Sequence, residues 1–409
     1  MKRTIALLAA AALVLGIAER QAAAQAPGFD PSVGYGYVPD GGSRLTSFAQ
    51  SAPLAASPQP VPQNGLNGSP QPIPEYALPE EQAEFFGAPG AGVSWQVIGD
   101  YLYIRPSNAE VAYAQVTDTT FAPPLPAGRT AVTNPFYDTG FRVSAARALG
   151  DGAAIGVSYT YFDTAVHSEL DAVAPNQVVS LVLYPGAPTL ANPGDFVVAN
   201  ERIRFHMADI DYKVSLLSGP RYCASLVAGA RLVSLNQGFD SVMVANIPDV
   251  GVVADEVISN VKFEGGGIRA GFEGERQSPS SGFLVYGKST ASLVAGTFRA
   301  DYSQFNTDLP TLVDTQWKSN RVLTIFDLEV GAGWTSMDGR LRVTGGWMVS
   351  AWFNTVKLAD YIHAVQNMAG PNTVDPTAPN TTLLNFNVDH EVTKPLMFDG
   401  LVGRVEWRF

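Results

Sequence analysis

The sequence predicts an all-β fold: a transmembrane, up-and-down antiparallel β-barrel of about ten strands, preceded by a disordered Pro-rich N-terminal arm. Three observations lead to this prediction. Segments of alternating apolar and polar residues recur from Trp95 to Phe409, the connections between them alternate between short and long, and only 16% of the 409 residues are charged. A typical soluble domain has about 25% charged residues. The composition is therefore too apolar for a disordered chain, and no stretch after the N-terminus is a continuous apolar run long enough for a membrane helix.

The alternating segments supply the strands. Several approach or exceed ten residues, and a tilted strand needs about 9–11 residues to cross a bilayer. Twelve strands are the alternative, if Val178–Tyr184 and Phe196–Arg202 add a hairpin. The ten segments are Trp95–Ile104, Asp138–Leu149, Ala153–Asp163, Ile203–Leu217, Arg221–Leu235, Ile258–Gly274, Gly282–Thr297, Arg321–Ser336, Arg340–Asn354 and Leu396–Phe409.

The connections predict which end of the barrel is which. An up-and-down meander places alternate connections at opposite ends, and outer-membrane barrels combine short periplasmic turns with long extracellular loops. Both chain ends would face the periplasm, because the strand number is even. The short connections are Gly150-Asp151-Gly152, Ser218-Gly219-Pro220, ERQSPSS after Gly274 and Met337-Asp338-Gly339; the long ones are Arg105–Tyr137, Thr164–Arg202, Asn236–Val257, Phe298–Asn320 and Thr355–Pro395.

The two faces of each strand favour a membrane barrel over a soluble sandwich, which would show the same alternation. In Arg321–Ser336 one face carries Phe326, Leu328 and Val330, and the other carries Asp327 and Glu329. Aromatic residues near the strand ends predict the two interfacial girdles of a membrane barrel, although core aromatics are the plainer alternative. The short-turn end would hold Trp95, Trp334, Trp407 and Phe409, and the long-loop end Tyr101, Tyr103, Tyr159, Tyr161, Phe326 and Phe353.

One segment changes face. Val261 and Phe263 have one parity, whereas Ile268 and Phe272 have the other, with Gly265-Gly266-Gly267 between them. Since one extra residue exchanges the faces of a strand, the pattern predicts a glycine bulge or kink there.

The N-terminus predicts export. Lys2 and Arg3 precede an apolar run from Ile5 to Ala18, and Ala22-Ala23-Ala24 resembles a cleavage site, which indicates a signal peptide over residues 1–24 and the general secretory route. An uncleaved anchor is the alternative. Residues 25–94 are rich in Pro, Gly, Ser and Gln and predict a periplasmic linker, or alternatively an arm that contacts the cell wall or a partner. The barrel occupies 95–409.

Inward-facing charges are the best candidates for a functional site. Arg231 is expected to lie diagonally near Asp209 across a hairpin. These charges would either fill the lumen as ion pairs or line a narrow pore and set its ion preference, and a ten-strand barrel allows both. The candidates are Asp209, Asp211, Arg231, Asp327, Glu329, Arg340, Arg342 and Arg404.

Other chemistry finds little support. GFLVYGKS matches the phosphate-loop pattern GxxxxGK[ST] at Gly282–Ser289, but its interior has the composition of a strand and no helical pattern follows. The four histidines lack metal-ligand spacing, and the lone Cys223 indicates a small buried residue. We expect no cofactor, no metal and no catalysis, and the net charge of −12 argues against nucleic acid as a partner.

The segments WQVIGDYLYIRP, FRVSAARALGDGAAIGVSYTYFDT, DIDYKV, GGGIRAGFEG and LVGRVEWRF resemble the Legionella-type pore-forming major outer-membrane protein family, which is also represented in planctomycete-like bacteria. The resemblance covers Trp95–Phe409 and implies a porin barrel without enzyme activity. It carries over no catalytic residue.

These observations predict a barrel in the bacterial outer membrane that allows passive diffusion of small hydrophilic solutes or ions. A plugged barrel that displays loops and is anchored to the wall is the main alternative, and an outer-membrane enzyme is a weaker one. Outer-membrane lipid and the barrel-assembly machinery are the expected partners. The terminal alternation of Val405, Trp407 and Phe409 would be the assembly signal, because an exposed last strand suits capture by strand addition.

Overall fold

The computed structural model describes residues 95–121, 125–150, 152–219, 221–278, 280–308, 311–367 and 395–409. The predicted signal peptide and the linker lie outside these residues. The described part contains the strands β1 (Trp95–Ser107), β2 (Ala112–Asp118), β3 (Leu125–Val132), β4 (Asp138–Gly150), β5 (Ala153–Asp171), β6 (Asn176–Ser180), β7 (Phe196–Gly219), β8 (Tyr222–Ile247), β9 (Gly251–Gln277), β10 (Phe283–Asn306), β11 (Val313–Thr335), β12 (Leu341–Phe353) and β13 (Leu396–Arg408), with helix α1 (Leu358–Gln366) between the last two.

Ten of these strands form a closed antiparallel barrel in the order β1-β13-β12-β11-β10-β9-β8-β7-β5-β4. The first and last strands close the ring, from Gln96 opposite Arg408 to Ser107 opposite Met397. Closure matters because an open sheet edge would leave unpaired backbone groups in lipid. The predicted ten-strand barrel is confirmed. The twelve-strand alternative is wrong, since Phe196 begins β7 and Val178 lies in a separate sheet of order β3-β2-β6.

The short turns lie at one end as predicted, but the other end differs from the prediction at two places. Asn236–Val257 is mostly strand: β8 and β9 continue to a tight turn between Ile247 and Gly251. Phe298–Asn320 is likewise mostly strand, with a connection of six residues between Asn306 and Val313. The alternation of inward and outward residues continues through both stretches. Their residue composition differs from that of the predicted strands, and for that reason they were predicted as loops. The barrel wall therefore extends well beyond the length that a bilayer needs.

The predicted bulge at Gly265-Gly266-Gly267 is wrong. The pairing of β9 with both neighbours passes through this stretch without a register shift. Val261 and Phe263 point inward and are buried, whereas Ile268 and Phe272 point outward and are 69% and 62% exposed. The apolar residues change faces because the interior changes: it is polar toward the short turns and apolar toward the other end.

The glycines in this stretch have a different role, which is to allow two strands to approach closely. A Cβ on Gly267 would overlap the backbone oxygen of Leu293 on the neighbouring strand. Glycine therefore permits the close approach of β9 and β10. The register shifts that do occur lie beside tight turns, near Leu149 on β4 and near Leu216 on β7.

An apolar band surrounds the half of the barrel that carries the short turns. On β11 the outward residues Val322, Phe326, Leu328, Val330 and Trp334 are all between 42% and 51% exposed. Such a row of exposed apolar side chains is stable only against lipid.

The composition of the outer face changes beyond this band. On β7 the outward residues are apolar at Ile210 and Tyr212 but charged at Arg202 and Arg204. The parts of β7–β11 beyond the band therefore lie outside the bilayer, on the side away from the short turns.

A continuous apolar core fills the interior of the barrel at that end. It includes Phe162, Phe205, Phe263, Phe298 and Trp352, each at most 1% exposed. Full burial of such a side chain contributes about 1.5–3 kcal/mol. No helix in the described residues is long and apolar enough to cross a membrane.

Candidate functional site: the barrel interior

The polar half of the interior is organised around Arg231 on β8. Arg231 lies directly opposite Asp209 on β7, and its Nε and Nη2 donate to the two carboxylate oxygens at 2.8 and 3.0 Å. Its Nη1 donates to Asp327 Oδ2 at 2.6 Å on β11, three strand positions away around the ring. Arg269 on β9 approaches Asp209 as well and lies 3.3 Å from Asp211. Since Arg231 is 3% exposed, its charge is balanced across the lumen rather than by water.

A second cluster of ion pairs joins β1, β4, β11 and β13. Arg404 on β13 contacts Asp100 on β1 at 2.8 Å and Glu329 on β11 at 2.9 Å. Arg142 on β4 contacts the same two carboxylates, at 2.6 Å and 2.9 Å. Because β4 and β11 lie on nearly opposite sides of the ring, the Arg142–Glu329 pair crosses the lumen.

Further ion pairs lie nearer the short turns. Arg342 on β12 reaches across to Glu275 on β9 at 2.7 Å. Lys213 on β7 donates to Glu273 on β9 at 2.8 and 3.0 Å. Such buried pairs contribute little net stability, because desolvation offsets their attraction. In this barrel the ion pairs connect strands across the polar half of the lumen, and they largely neutralise its charges.

A cavity of 630 Å³ remains between these clusters. Its lining runs from Met207 and Met348 at the inner limit to Asp338, Gly339 and Arg340 in a short turn, so it opens toward the short-turn end. Arg340 was predicted on a strand inside the lumen. It lies instead in the exposed turn before β12, at the mouth of the cavity.

An aromatic layer closes the cavity on its inner side. Phe205 on β7 and Trp352 on β12 have ring centroids 5.5 Å apart, although these strands lie directly across the ten-strand ring. Phe398 packs against both, at 4.8 and 5.4 Å, and Phe162 completes the layer at 5.9 Å from Phe398. Side chains from opposite walls in contact leave no passage between them at this level.

Helix α1 adds a second closure beyond the aromatic layer. Gln237, which points into the barrel from β8, donates to Val356 O at 2.9 Å and accepts from Leu358 N at 3.3 Å. Tyr361 and Ile362 of the helix are buried in the core. The part of the β12–β13 connection that the structure describes, residues 354–367, therefore enters the barrel.

One buried acid lies in the part of β7 beyond the apolar band. Glu201 is 2% exposed, and its Oε2 accepts a short hydrogen bond from Thr133 Oγ1. Its Oε1 has no partner in the described structure. Burial raises the pKa of the Glu201 carboxyl to about 8, so this group is neutral at the pH of most surroundings.

The aromatic candidates lie on the outer surface. Trp334, Trp407 and Phe409 are 46%, 44% and 62% exposed near the short turns, where the Arg147 guanidinium also lies over the Trp95 ring. Nearer the other end, Tyr101, Tyr103 and Tyr159 are 57%, 41% and 37% exposed, and Tyr161 lies beside His206. Their role as interfacial anchors, and that of Val405, Trp407 and Phe409 as an assembly signal, stay predictions.

Sequence reasoning missed six of the thirteen residues that form these ion pairs. Five of them have inward parity on strands that the alternation identifies, so strand parity alone would have found Asp100, Arg142, Lys213, Arg269 and Glu273. The sixth, Glu275, falls in the stretch after Gly274 that was predicted as a short connection, whereas β9 continues through it. Their pairing, however, depends on which strands face one another across the ring. Among the described residues, no group of three or more His, Cys, Asp or Glu could hold a metal ion.

The closed ring, the outward apolar band and the polar interior define a transmembrane β-barrel of the outer-membrane class. A family model described as the Legionella pneumophila major outer membrane protein precursor matches residues 88–407. The chain belongs to this family and is located in the outer membrane.

Two solved barrels are more distant neighbours. The outer membrane protease OmpT of Escherichia coli is 12% identical, with a TM-score of 0.39, over 77% of this chain and 97% of that one. The toluene transporter TodX of Pseudomonas putida is 6% identical, with a TM-score of 0.27, over 77% of this chain and 89% of that one. Neither likeness bears on what this chain binds or does. No curated protein matches the chain.

Proposed function

We propose that this chain is a closed outer-membrane barrel, which supports a rigid extracellular part and does not conduct solutes in the conformation described above. The observation that carries the proposal is the contact between Phe205 and Trp352, from opposite walls of the ring. Buried apolar side chains from β8–β11 fill the rest of the interior in this part of the barrel, which supports the absence of a continuous water path. The function would then be structural or surface-presenting, as in the plugged alternative expected from the sequence.

The extracellular part supports the same proposal. The walls formed by β7–β11 extend beyond the apolar band and enclose an apolar core, and α1 is packed inside it. A pore would need a hydrated path there. An apolar core instead makes this part of the molecule a rigid platform for its surface connections.

Passive diffusion, the main function expected from the sequence, would require the aromatic layer and α1 to move together. In an open pore, Asp327→Lys combined with Glu329→Lys would change the ion preference, because both carboxylates would line the path. In the closed barrel the same change only breaks the ion pairs to Arg231, Arg142 and Arg404. The two functions therefore predict different effects of the same variant.

Uptake of sugars into proteoliposomes tests the proposal. We expect vesicles that contain the purified chain to swell in an isosmotic solution of a small sugar no faster than empty vesicles. Phe205→Ala combined with Trp352→Ala should accelerate swelling only if the layer is the narrowest closure. Phe326→Ala, at an outward position in the apolar band, is the matched control. Swelling of the unmodified chain at the rate of an open porin would reject the closed barrel.

A further inference from the structure

Three cations lie side by side on the outer surface of the barrel. Lys262 on β9 is directly paired with Arg299 on β10, and Arg299 is directly paired with Lys318 on β11. All three side chains have outward parity and are exposed. We call Lys262, Arg299 and Lys318 the basic row.

None of the three cations of the basic row forms an ion pair with another described residue of the chain. Like charges directly opposite on neighbouring strands destabilise a sheet, since their Cβ atoms are only about 4.5–5.5 Å apart. In the part of the chain that the structure describes, no carboxylate lies within 4.0 Å of any of the three cationic groups. Asp301, the next outward residue on β10, is held by Asn260 at 2.8 Å instead. The repulsion within the row is therefore not offset by an ion pair, although Glu264 and Asp301 occupy the flanking outward positions on β9 and β10.

The basic row lies close to the edge of the apolar band. Moving along the same three strands toward the membrane, the next outward residues are Glu264, Thr297 and Asn320. The following outward residues are Gly266, Ala295 and Val322, where the apolar band begins. The row thus lies two outward positions beyond the hydrocarbon boundary, on the extracellular side.

The basic surface continues onto β7. Arg204 is paired with Asn236, which is in turn paired with Lys262, so Arg204 extends the row by one strand beyond an uncharged residue. Arg202 and Arg204 share the single carboxylate of Asp163, at 2.6 and 3.0 Å. Asp163 is therefore shared by two arginines of the continued surface.

We propose that the basic row binds the phosphate headgroups of anionic lipids in the outer leaflet. A phosphate group between two neighbouring cations would replace their repulsion with charge-assisted hydrogen bonds. Long Lys and Arg side chains reach the headgroup layer from just beyond the hydrocarbon boundary. A lipid fits better than a free anion, because its acyl chains would lie on the apolar band directly beneath the row.

Native mass spectrometry of the full chain in nanodiscs tests the proposal. The probe is phosphatidylglycerol, supplied as a minor component in phosphatidylcholine. The test variant combines Lys262→Gln, Arg299→Gln and Lys318→Gln. We expect it to retain at least about tenfold less phosphatidylglycerol, since each cation near an anionic surface contributes on the order of a fivefold change in affinity. Retention of phosphatidylcholine should not change.

A control variant separates the row from net charge. Arg129→Gln, Arg221→Gln and Arg276→Gln together remove the same charge from exposed positions elsewhere. We expect this variant to retain at least half as much phosphatidylglycerol as the unmodified chain. An equal loss in both variants, or no loss in the row variant, would overturn the proposal.

The sign of a stability change gives a second readout. In phosphatidylcholine alone, Arg299→Gln should raise the melting temperature, because it removes the central charge of the repulsive row. With phosphatidylglycerol present, the same substitution should lower it relative to the unmodified chain. If the difference in melting temperature between Arg299→Gln and the unmodified chain is the same with and without phosphatidylglycerol, the proposal is also overturned.

Discussion

Replacing Arg231 with leucine should destabilise the barrel more than any single change to its surface charges. The guanidinium is 3% exposed and holds Asp209 and Asp327 at 2.6–3.0 Å. Removing it leaves Asp209 and Asp327 without their shared partner, and Arg269 then forms an ion pair with Asp209 but not with Asp327. Breaking a buried pair in this way costs about 3–5 kcal/mol. Urea-induced unfolding from lipid vesicles, followed by tryptophan fluorescence, measures the loss.

The matched control for this prediction is Arg202→Leu. Arg202 also donates two hydrogen bonds to one aspartate, Asp163, but its side chain is 57% exposed, so its loss should cost under about 1 kcal/mol. Adding Asp327→Asn to Arg231→Leu should recover part of the stability, with a coupling energy of about 1–3 kcal/mol. A cost for Arg231→Leu no larger than that of the control would refute the account of the lumen as a neutralised network.

Three further predictions concern other parts of the chain. Burial raises the pKa of Glu201 from 4.5 to about 8, so its contribution to the stability of the fold is fully present below about pH 4.5 and is lost as pH rises toward 8. Stability to urea should therefore fall over this window by up to about 1.4 kcal/mol per pH unit. Glu201→Gln should remove that slope, and an unchanged slope in the variant would contradict the assignment. Gly267→Ala should lower the thermal stability by several degrees because its Cβ meets backbone, whereas Gly403→Ala, with nothing within 4 Å, should be neutral; equal effects in the two variants would argue against the close approach of β9 and β10. Deleting Phe409, which is 62% exposed, should reduce the amount of folded barrel in outer-membrane fractions without changing the stability of the barrel refolded in vitro; unchanged insertion would reject its role in assembly.

The strands were predictable because strand formation follows a local pattern. The alternation of Phe326, Leu328 and Val330 against Asp327 and Glu329 is visible in the sequence and reappears as the outer and inner faces of β11. The tight turns were equally local. The family likeness followed from the same segments and is confirmed over residues 88–407.

The closure of the lumen could not be read from the sequence. Phe205 and Trp352 are far apart in the chain, and their contact depends on which strands oppose each other in the closed ring. The face change at Phe263 was misread for the same reason. Alternation reports which residues share a face, but not whether the inward face meets water, ion pairs or an apolar core.

Single-channel recording in planar bilayers tests whether the barrel interior is closed. We predict that the unmodified chain, inserted and folded, gives no stepwise ion currents, because Phe205 and Trp352 join opposite walls. Stepwise currents should appear after both residues are replaced by alanine together with removal of the apolar side chains of α1 by Tyr361→Ala and Ile362→Ala. Regular conductance steps from the unmodified barrel, with an ion preference that Asp327→Lys alters, would contradict the closed interior and support a diffusion pore.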